Sequence, residues 1–171
     1  MLGEEFKKNY KTIIEKFETK ESSILELLHL IQKENGYISE DDINDLSKLI
    51  DIPYSKIKAV LTFYTMFNQK KVGRYHIQIC RNISCHMAGS KNLERYIKEK
   101  LGINEGEITP DGLFSYTTVE CLAGCGNAPV IMINETYYEN VDEKKLDEII
   151  NNLKIKNIFY YKNYTGGTAT K

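Results

Sequence analysis

The sequence predicts an α+β protein in which an N-terminal four-helix bundle precedes a mixed sheet of element order β-α-β-β-β-α. Apolar residues recur at helical spacing through the first part of the chain, to about residue 67. A polar, basic connection covers residues 68–74, and beyond it short apolar runs alternate with turn signals. The predicted domains are therefore a helical domain at residues 1–70 and a sheet domain at residues 74–153, followed by a C-terminal tail at residues 154–171.

Four helices are predicted in the first domain, each from an apolar face and a start signal. The second helix ends at Asn35-Gly36, because glycine is favoured just after a helix, and the third ends at Ile52-Pro53. In chain order, the four helices are indicated by an apolar face from Phe6 to Phe17, a capping box at Ser23–Glu26, an N-cap at Ser39, and Ser55 before a helix from Lys56 to about Phe67.

The second domain is predicted to begin with a strand at Tyr75 to Cys80. The later elements are a helix capped by Ser90 and ended by Gly102, a strand from Leu113 to Glu120, a hairpin of Val130 to Ile133 with Thr136 to Tyr138, and a helix from Val141 to Leu153.

In the tail from Lys154, the apolar residues show no clear helical or strand periodicity. It contains Phe159, Tyr160, Tyr161 and Tyr164. We expect either an extended segment packed on a partner or a disordered end.

Composition excludes several classes of partner. The 171 residues carry 23 Lys plus Arg against 24 Asp plus Glu, a net charge of −1, which disfavours nucleic acid and anionic membrane as partners. No apolar run approaches the roughly 18–20 residues of a spanning helix, so no direct membrane contact is expected. The first ten residues are too polar for a signal peptide. We therefore expect a cytoplasmic, reducing location, in which the four cysteines need a reason other than disulfides.

The cysteines form two close pairs. Cys80 and Cys85 make a C-x4-C step, and Cys121 and Cys125 make a C-x3-C step after a gap of 35 residues. Both pairs are predicted just past strand ends, at one tip of the sheet, and glycines mark the second as a tight irregular loop. Thiolates gathered on two loops are typical of a metal or cluster site.

Several chemistries are compatible with four thiols. Zinc takes pairs spaced like these, a [2Fe–2S] cluster suits the wider steps, and buried free thiols are the alternative without function. A Rieske centre is excluded because the second pair has no histidine, and a thioredoxin-type redox pair needs C-x-x-C, which is absent. The spacing favours the cluster over zinc.

A zinc- or cluster-bearing regulator is the alternative function. The short helices resemble a helix-turn-helix, with Lys56 and Lys58 on the candidate recognition helix. That helix continues as an aromatic stripe rather than the Arg, Asn or Gln that read bases. The stripe belongs in a core or against another protein, and we do not expect nucleic-acid binding.

The two cysteine segments, Cys80 to Cys85 and Glu120 to Pro129, closely resemble the small [2Fe–2S] subunit of respiratory NADH dehydrogenase. The same subunit type occurs in NAD-linked and electron-bifurcating hydrogenases and in NAD-dependent formate dehydrogenases. The likeness covers about residues 10 to 153 and includes Glu34 to Ser39, Phe63 to Phe67 and Tyr137 to Asn140.

The resemblance implies a thioredoxin-like ferredoxin domain in which Cys80, Cys85, Cys121 and Cys125 all ligate one [2Fe–2S] cluster. It implies an electron-transfer subunit of an NADH-dependent oxidoreductase, with no catalytic residue of its own. FMN and NAD are expected on a flavoprotein partner subunit, and a larger iron–sulfur or hydrogenase subunit is the second expected partner. The aromatic segment at residues 60 to 67 and the basic connection are candidates for partner contact.

Overall fold

The computed structural model describes the backbone of residues 2–164 and the side chains of residues 2–157. The chain divides into two compact units, Met1–Val72 and Gly73–Lys171. The first unit contains α1 (Glu4–Ile14), a short 3-10 turn (Glu21–Ser23), α2 (Ile24–Asn35), α3 (Glu40–Ile50) and α4 (Tyr54–Phe63).

The four helices of the first unit share one hydrophobic core, to which Phe6, Leu27, Ile43 and Leu61 contribute. Helix α1 packs against α2, α2 against α4, and α3 against α4. Burial of the apolar faces holds these helices together. The helices are as expected, but the bundle arrangement predicted from the sequence is not confirmed by this pattern of contacts.

The helix starts and ends differ in part from those predicted. The hydroxyl of Ser23 donates to the carbonyl of Lys20, 2.6 Å away, and makes no capping bond, so the predicted capping box there is wrong. Ser39 does form a capping box, with Asp42. Helix α4 ends at Phe63 rather than near Phe67, because Tyr64 has extended backbone angles.

The second unit is built around one sheet of order β2-β1-β3-β4. Strand β1 pairs parallel with β2 and antiparallel with β3, and β4 extends the sheet as a hairpin with β3. The elements are β1 (Tyr75–Cys80), α5 (Ile83–Met87), α6 (Ser90–Leu101), β2 (Phe114–Val119), β3 (Ile131–Ile133), β4 (Thr136–Tyr138) and α7 (Glu143–Tyr164).

One face of the sheet carries the core of this unit. Ile77 and Ile79 of β1 pack with Phe114 of β2 and with apolar residues of α6 and α7, such as Leu93 and Leu146. Side chains alternate along a strand, so His76, Gln78 and Cys80 lie on the opposite face of β1. The first cysteine therefore lies outside the main core, in a smaller apolar cluster of its own.

Three features of this unit correct the sequence prediction. Helix α5 follows the first cysteine where no element was predicted, and Ser90 is the first residue of α6 rather than its cap, the N-cap being Gly89. Helix α7 continues past Leu153, so the backbone of the tail up to Tyr164 is helical rather than extended.

The extension of α7 is held by a tertiary contact. Arg74, at the start of the unit, donates from Nη1 to Oδ1 of the buried Asn157, at 2.8 Å. Residues 165–171 and the aromatic side chains of the tail lie outside the described residues. Within the described part of the chain, no helix is long and apolar enough to cross a membrane.

Candidate metal centre

The parallel pair β1–β2 brings both cysteine segments to one end of the sheet. Cys80 is the last residue of β1, and its register partner in β2 is Val119. Parallel strands end at the same edge, so the chain leaves both strands side by side. Cys121 follows Val119 by two residues, so the second pair lies just past the end of β2 as predicted, whereas the first pair begins at the last residue of β1.

The first pair is buried. Cys80 and Cys85 are each 1 % exposed and pack with Leu122 and Val130. Cys85 lies in helix α5, which begins at Ile83, shortly after β1. The side chain of Asn82 caps this helix by accepting a hydrogen bond from the amide of Ile83 at 2.8 Å.

The second pair lies at the surface. Cys121 and Cys125 are both exposed, the latter in a short 3-10 turn, Cys125–Asn127. The sulfur of Cys121 accepts a hydrogen bond from the amide of Ala123 at 3.3 Å. Such N–H···S bonds stabilise a thiolate, and around an iron–sulfur cluster they tune the reduction potential.

Val130 links the two pairs. The amide of Cys80 donates to the carbonyl of Val130 at 3.2 Å. The backbone of the same residue also donates a hydrogen bond to the Cys85 sulfur, which opposes part of the rise in its pKa. A Cβ atom added at Gly124 would lie 2.8 Å from Cγ2 of Val130, so the second loop passes Val130 at a distance that suits glycine.

The pKa of Cys85 responds to burial and to the other cysteines. Burial raises the pKa of the Cys85 thiol above its ordinary value, and the nearby sulfurs of Cys80 and Cys125 raise it further. Cys85 thus lies within electrostatic range of one cysteine of each pair. Since a metal ligand must be the thiolate, a bound cation would supply the positive charge that this cluster of sulfurs lacks.

Among the described residues, no three His, Cys, Asp or Glu side chains are arranged to hold a single metal ion. The donor set itself consists of four free thiols on two adjoining loops, with none in a disulfide. All-sulfur donors are the set that [2Fe–2S] clusters and structural zinc sites use, so the donor type suits either group, although the arrangement does not match a single zinc ion.

An ion pair that the sequence analysis did not identify connects the two loops. Arg81, directly after Cys80, donates from Nε to Oε1 of Glu120 at 3.1 Å, and Glu120 directly precedes Cys121. The hydrogen bond to Glu120 raises the pKa of Arg81. An opposite charge at each position was visible in the sequence, but pairing them required knowing that β1 and β2 are parallel neighbours.

Comparison with known proteins identifies the family. The sequence profile of the thioredoxin-like [2Fe–2S] ferredoxin family matches residues 10–154. The chain belongs to this family. The resemblance found in the sequence is therefore confirmed, and the family supports an iron–sulfur cluster as cofactor.

Curated relatives agree with that assignment. The chain is 43 % identical over 145 residues to an NADH-quinone oxidoreductase subunit of Rickettsia bellii, covering 83 % of this chain and 87 % of the relative. It is 34 % identical over 139 residues to an NADH-quinone oxidoreductase subunit of Rhizobium meliloti, covering 81 % and 83 %. These relatives are oxidoreductase subunits by name.

A solved structure shares the fold. An NAD+-reducing [NiFe]-hydrogenase in the air-oxidized state superposes with a TM-score of 0.67 at 23 % identity. The match covers 78 % of this chain and 23 % of the hydrogenase chain, so this chain corresponds to less than a quarter of that protein. At this identity, the likeness shows a common fold.

Proposed function

We propose that this chain is a one-electron carrier subunit that holds one [2Fe–2S] cluster through Cys80, Cys85, Cys121 and Cys125. The observation that carries the proposal is that the two cysteine pairs begin at, and just past, the ends of two adjacent parallel strands. Membership of the [2Fe–2S] ferredoxin family supports the cluster over zinc.

We propose further that the subunit works inside a multi-subunit NADH-linked oxidoreductase, as the names of its relatives suggest. In this proposal a partner flavoprotein carries FMN and binds the nicotinamide. A larger iron–sulfur or hydrogenase subunit forms the rest of the electron-transfer path. The cluster supplies reversible one-electron chemistry, while the chain holds it and sets its potential.

The proposed cluster site has a buried side and an exposed side, which contribute differently. On the buried side, Cys80, Cys85, Leu122 and Val130 exclude water, which strengthens electrostatic interactions at the centre. On the exposed side, Cys121 and Cys125 face solvent and leave the centre accessible to a partner. The amide of Ala123 holds Cys121 as a hydrogen-bonded sulfur.

The helical domain, residues 1–70, is proposed to dock on a partner, and residues 74–153 to form the cluster domain. The support for docking is an exposed apolar group at the end of α4: Phe63 is 77 % exposed, and Tyr64 and Met66 are also exposed. Phe67, which the sequence analysis placed in the same contact surface, is instead buried in the core of the unit. We expect Phe63→Ala to weaken complex assembly without lowering the melting temperature of the isolated chain, whereas Phe67→Ala lowers that temperature.

Metal analysis of the purified chain tests the cluster assignment. We expect about two iron and about two acid-labile sulfide per chain and an EPR signal on reduction. Each single Cys→Ser variant loses or alters that signal, while Ser84→Ala, between the first two cysteines, keeps it. About one zinc per chain, or a Cys121→Ser variant with an unaltered cluster, contradicts the assignment.

A further inference from the structure

We infer that the charges of Arg81 and Glu120, which pair at the junction of the two cysteine loops, help to set the reduction potential of the centre. The inference rests on the proposed function, because it assigns these side chains a role toward a redox group bound by the cysteines. Neither residue is one of the proposed ligands.

The contacts place this pair at the junction of the loops. Two guanidinium nitrogens of Arg81, Nε and Nη2, donate to the same carboxylate oxygen of Glu120. The amide of Arg81 also donates to the carbonyl of Val119 at 2.9 Å, which extends the β1–β2 pairing one residue beyond Cys80. The sulfur of Cys80 makes a long contact, 3.9 Å, with the carbonyl oxygen of Glu120. Backbone and side chains of the two residues thus join the loops that carry Cys80 and Cys121.

The pair is too exposed to serve mainly as a stabilising ion pair. The side chain of Arg81 is 59 % exposed and that of Glu120 is 77 % exposed. Exposed ion pairs contribute little to folding, because water and salt screen them. The charges nevertheless lie next to the residues proposed to bind the centre, so their effect is expected on the centre itself.

The sign of that effect follows from electrostatics. One-electron reduction adds one negative charge to the centre, so a nearby positive charge favours the reduced form and a nearby negative charge disfavours it. Glu105 and Glu94 also add electrostatically to the raised pKa of Arg81, so its positive charge faces further carboxylates. Removing Arg81 therefore lowers the reduction potential, and removing the charge of Glu120 raises it.

Redox titration of the full chain, followed by EPR, tests this inference. We expect Arg81→Gln to reduce the equilibrium constant for reduction by about threefold to tenfold, tenfold being about 59 mV for one electron. Glu120→Gln is expected to shift this equilibrium constant in the opposite direction, and the double variant should bring it back toward the wild-type value. Arg81→Lys keeps the positive charge, so its constant should stay within about twofold of the wild-type value. Because both side chains are exposed, each shift should shrink as salt is raised.

A matched control removes the same charge from the far end of the unit. Lys100 forms an ion pair with Asp147 at 2.5 Å, near the end of α6, whereas Ser90 begins that helix at the cysteine end of the sheet. The rise along the helix separates these two positions by about 15 Å, beyond the screening length at physiological salt. Lys100→Ala should leave the potential unchanged.

The outcomes separate this inference from the proposed function. A wild-type chain without iron and sulfide defeats the proposed function, and this inference falls with it. If the wild-type chain binds its cluster and both single variants keep the wild-type reduction potential, this inference alone is overturned. Shifts of the same direction in Arg81→Gln and Glu120→Gln, or shifts that salt does not reduce, also overturn it, because a purely structural disturbance would produce them.

Discussion

Gly124 lies directly against Val130, so that a Cβ atom at position 124 would come within 2.8 Å of Cγ2 of the valine. The two residues belong to the loop of the second cysteine pair and to the segment that leads into β3. Val130 is fully buried and contacts both cysteines of the first pair. The shape of the site thus depends on the absence of a side chain at position 124.

Gly124→Ala should destabilise the second unit, because the added methyl group overpacks a closed contact. We expect a loss of about 1–3 kcal/mol in the free energy of unfolding, together with a lower iron content. Gly126→Ala is the matched control, since a Cβ there meets nothing within 4 Å. Denaturant unfolding of both variants provides the comparison. The double variant Gly124→Ala/Val130→Ala should recover part of the lost free energy of unfolding, because it removes the overpacked contact. Equal effects at the two glycines would contradict the packing explanation.

His76 predicts a pH dependence of stability. Burial lowers its pKa from 6.5 to about 4. The Nδ1 atom lies 2.8 Å from the hydroxyl oxygen of Ser115, which also accepts a hydrogen bond from the amide of Gly73 at 2.8 Å. We therefore assign the Ser115 hydroxyl as donor to Nδ1, and neutral His76 carries its own proton on Nε2.

A histidine whose pKa is lowered in the folded state contributes stability above the unfolded pKa of 6.5 and loses it as the pH falls toward 4. Between pH 7 and pH 5, the wild-type chain should lose about 2 kcal/mol more than His76→Gln, which has no titrating group there. Denaturant unfolding at the two pH values measures the difference. Parallel pH curves for the two proteins would rule out this role of His76.

The capping box of α3 predicts a specific loss in the helical unit. Oδ2 of Asp42 accepts from the amide and the hydroxyl of Ser39, at 2.9 and 2.6 Å, and the hydroxyl accepts from the amide of Asp42. Ser39→Ala should therefore lower the free energy of unfolding by about 1 kcal/mol. Asp41→Asn, which changes an exposed neighbouring acid, should cost less than about 0.5 kcal/mol. If thermal unfolding shows the larger loss in Asp41→Asn, the assignment of the cap is wrong.

Glu105 protects the outer edge of β2. One of its carboxylate oxygens accepts from the amide of Thr118 at 2.6 Å and from the hydroxyls of Thr117 and Thr118. Burial alone would raise its pKa, but these hydrogen bonds outweigh burial, and the pKa is lowered. The carboxylate accepts the hydrogen bond of a β2 edge amide that could otherwise pair with a strand of another chain.

Glu105→Ala should lower the free energy of unfolding by about 1 kcal/mol at neutral pH and increase aggregation. A lowered carboxyl pKa contributes stability above its unfolded value, so the difference from wild type should diminish as the medium becomes acidic. Glu135→Ala, at an exposed carboxylate in the β3–β4 turn, is the control and should match the wild type. Unfolding and light scattering at neutral and acidic pH give the readout, and equal behaviour of the two variants would refute the role of Glu105.

Sequence patterns predicted the strands well because their signals are local. The bounds of β1 and β4 agree with the prediction, since alternating apolar runs end at clear turn residues. Ser39 and Gly102 were likewise identified from the residue type that a helix end requires. Helix α5 was missed because a five-residue helix is too short to show a period, and the cap at Ser23 failed because its hydroxyl bonds Lys20 instead.

The sequence by itself determined the four cysteines, their two spacings and their position near strand ends, because these depend on residue type and on short distances along the chain. Only the tertiary structure decided that one pair is buried and the other exposed, that Val130 contacts both sides, and that Arg81 meets Glu120 across the strand pair. It also decided that α7 continues to Asn157, where Arg74 binds it. Each of these depends on which strands and helices become neighbours, and that choice reflects burial over the whole unit rather than any local pattern.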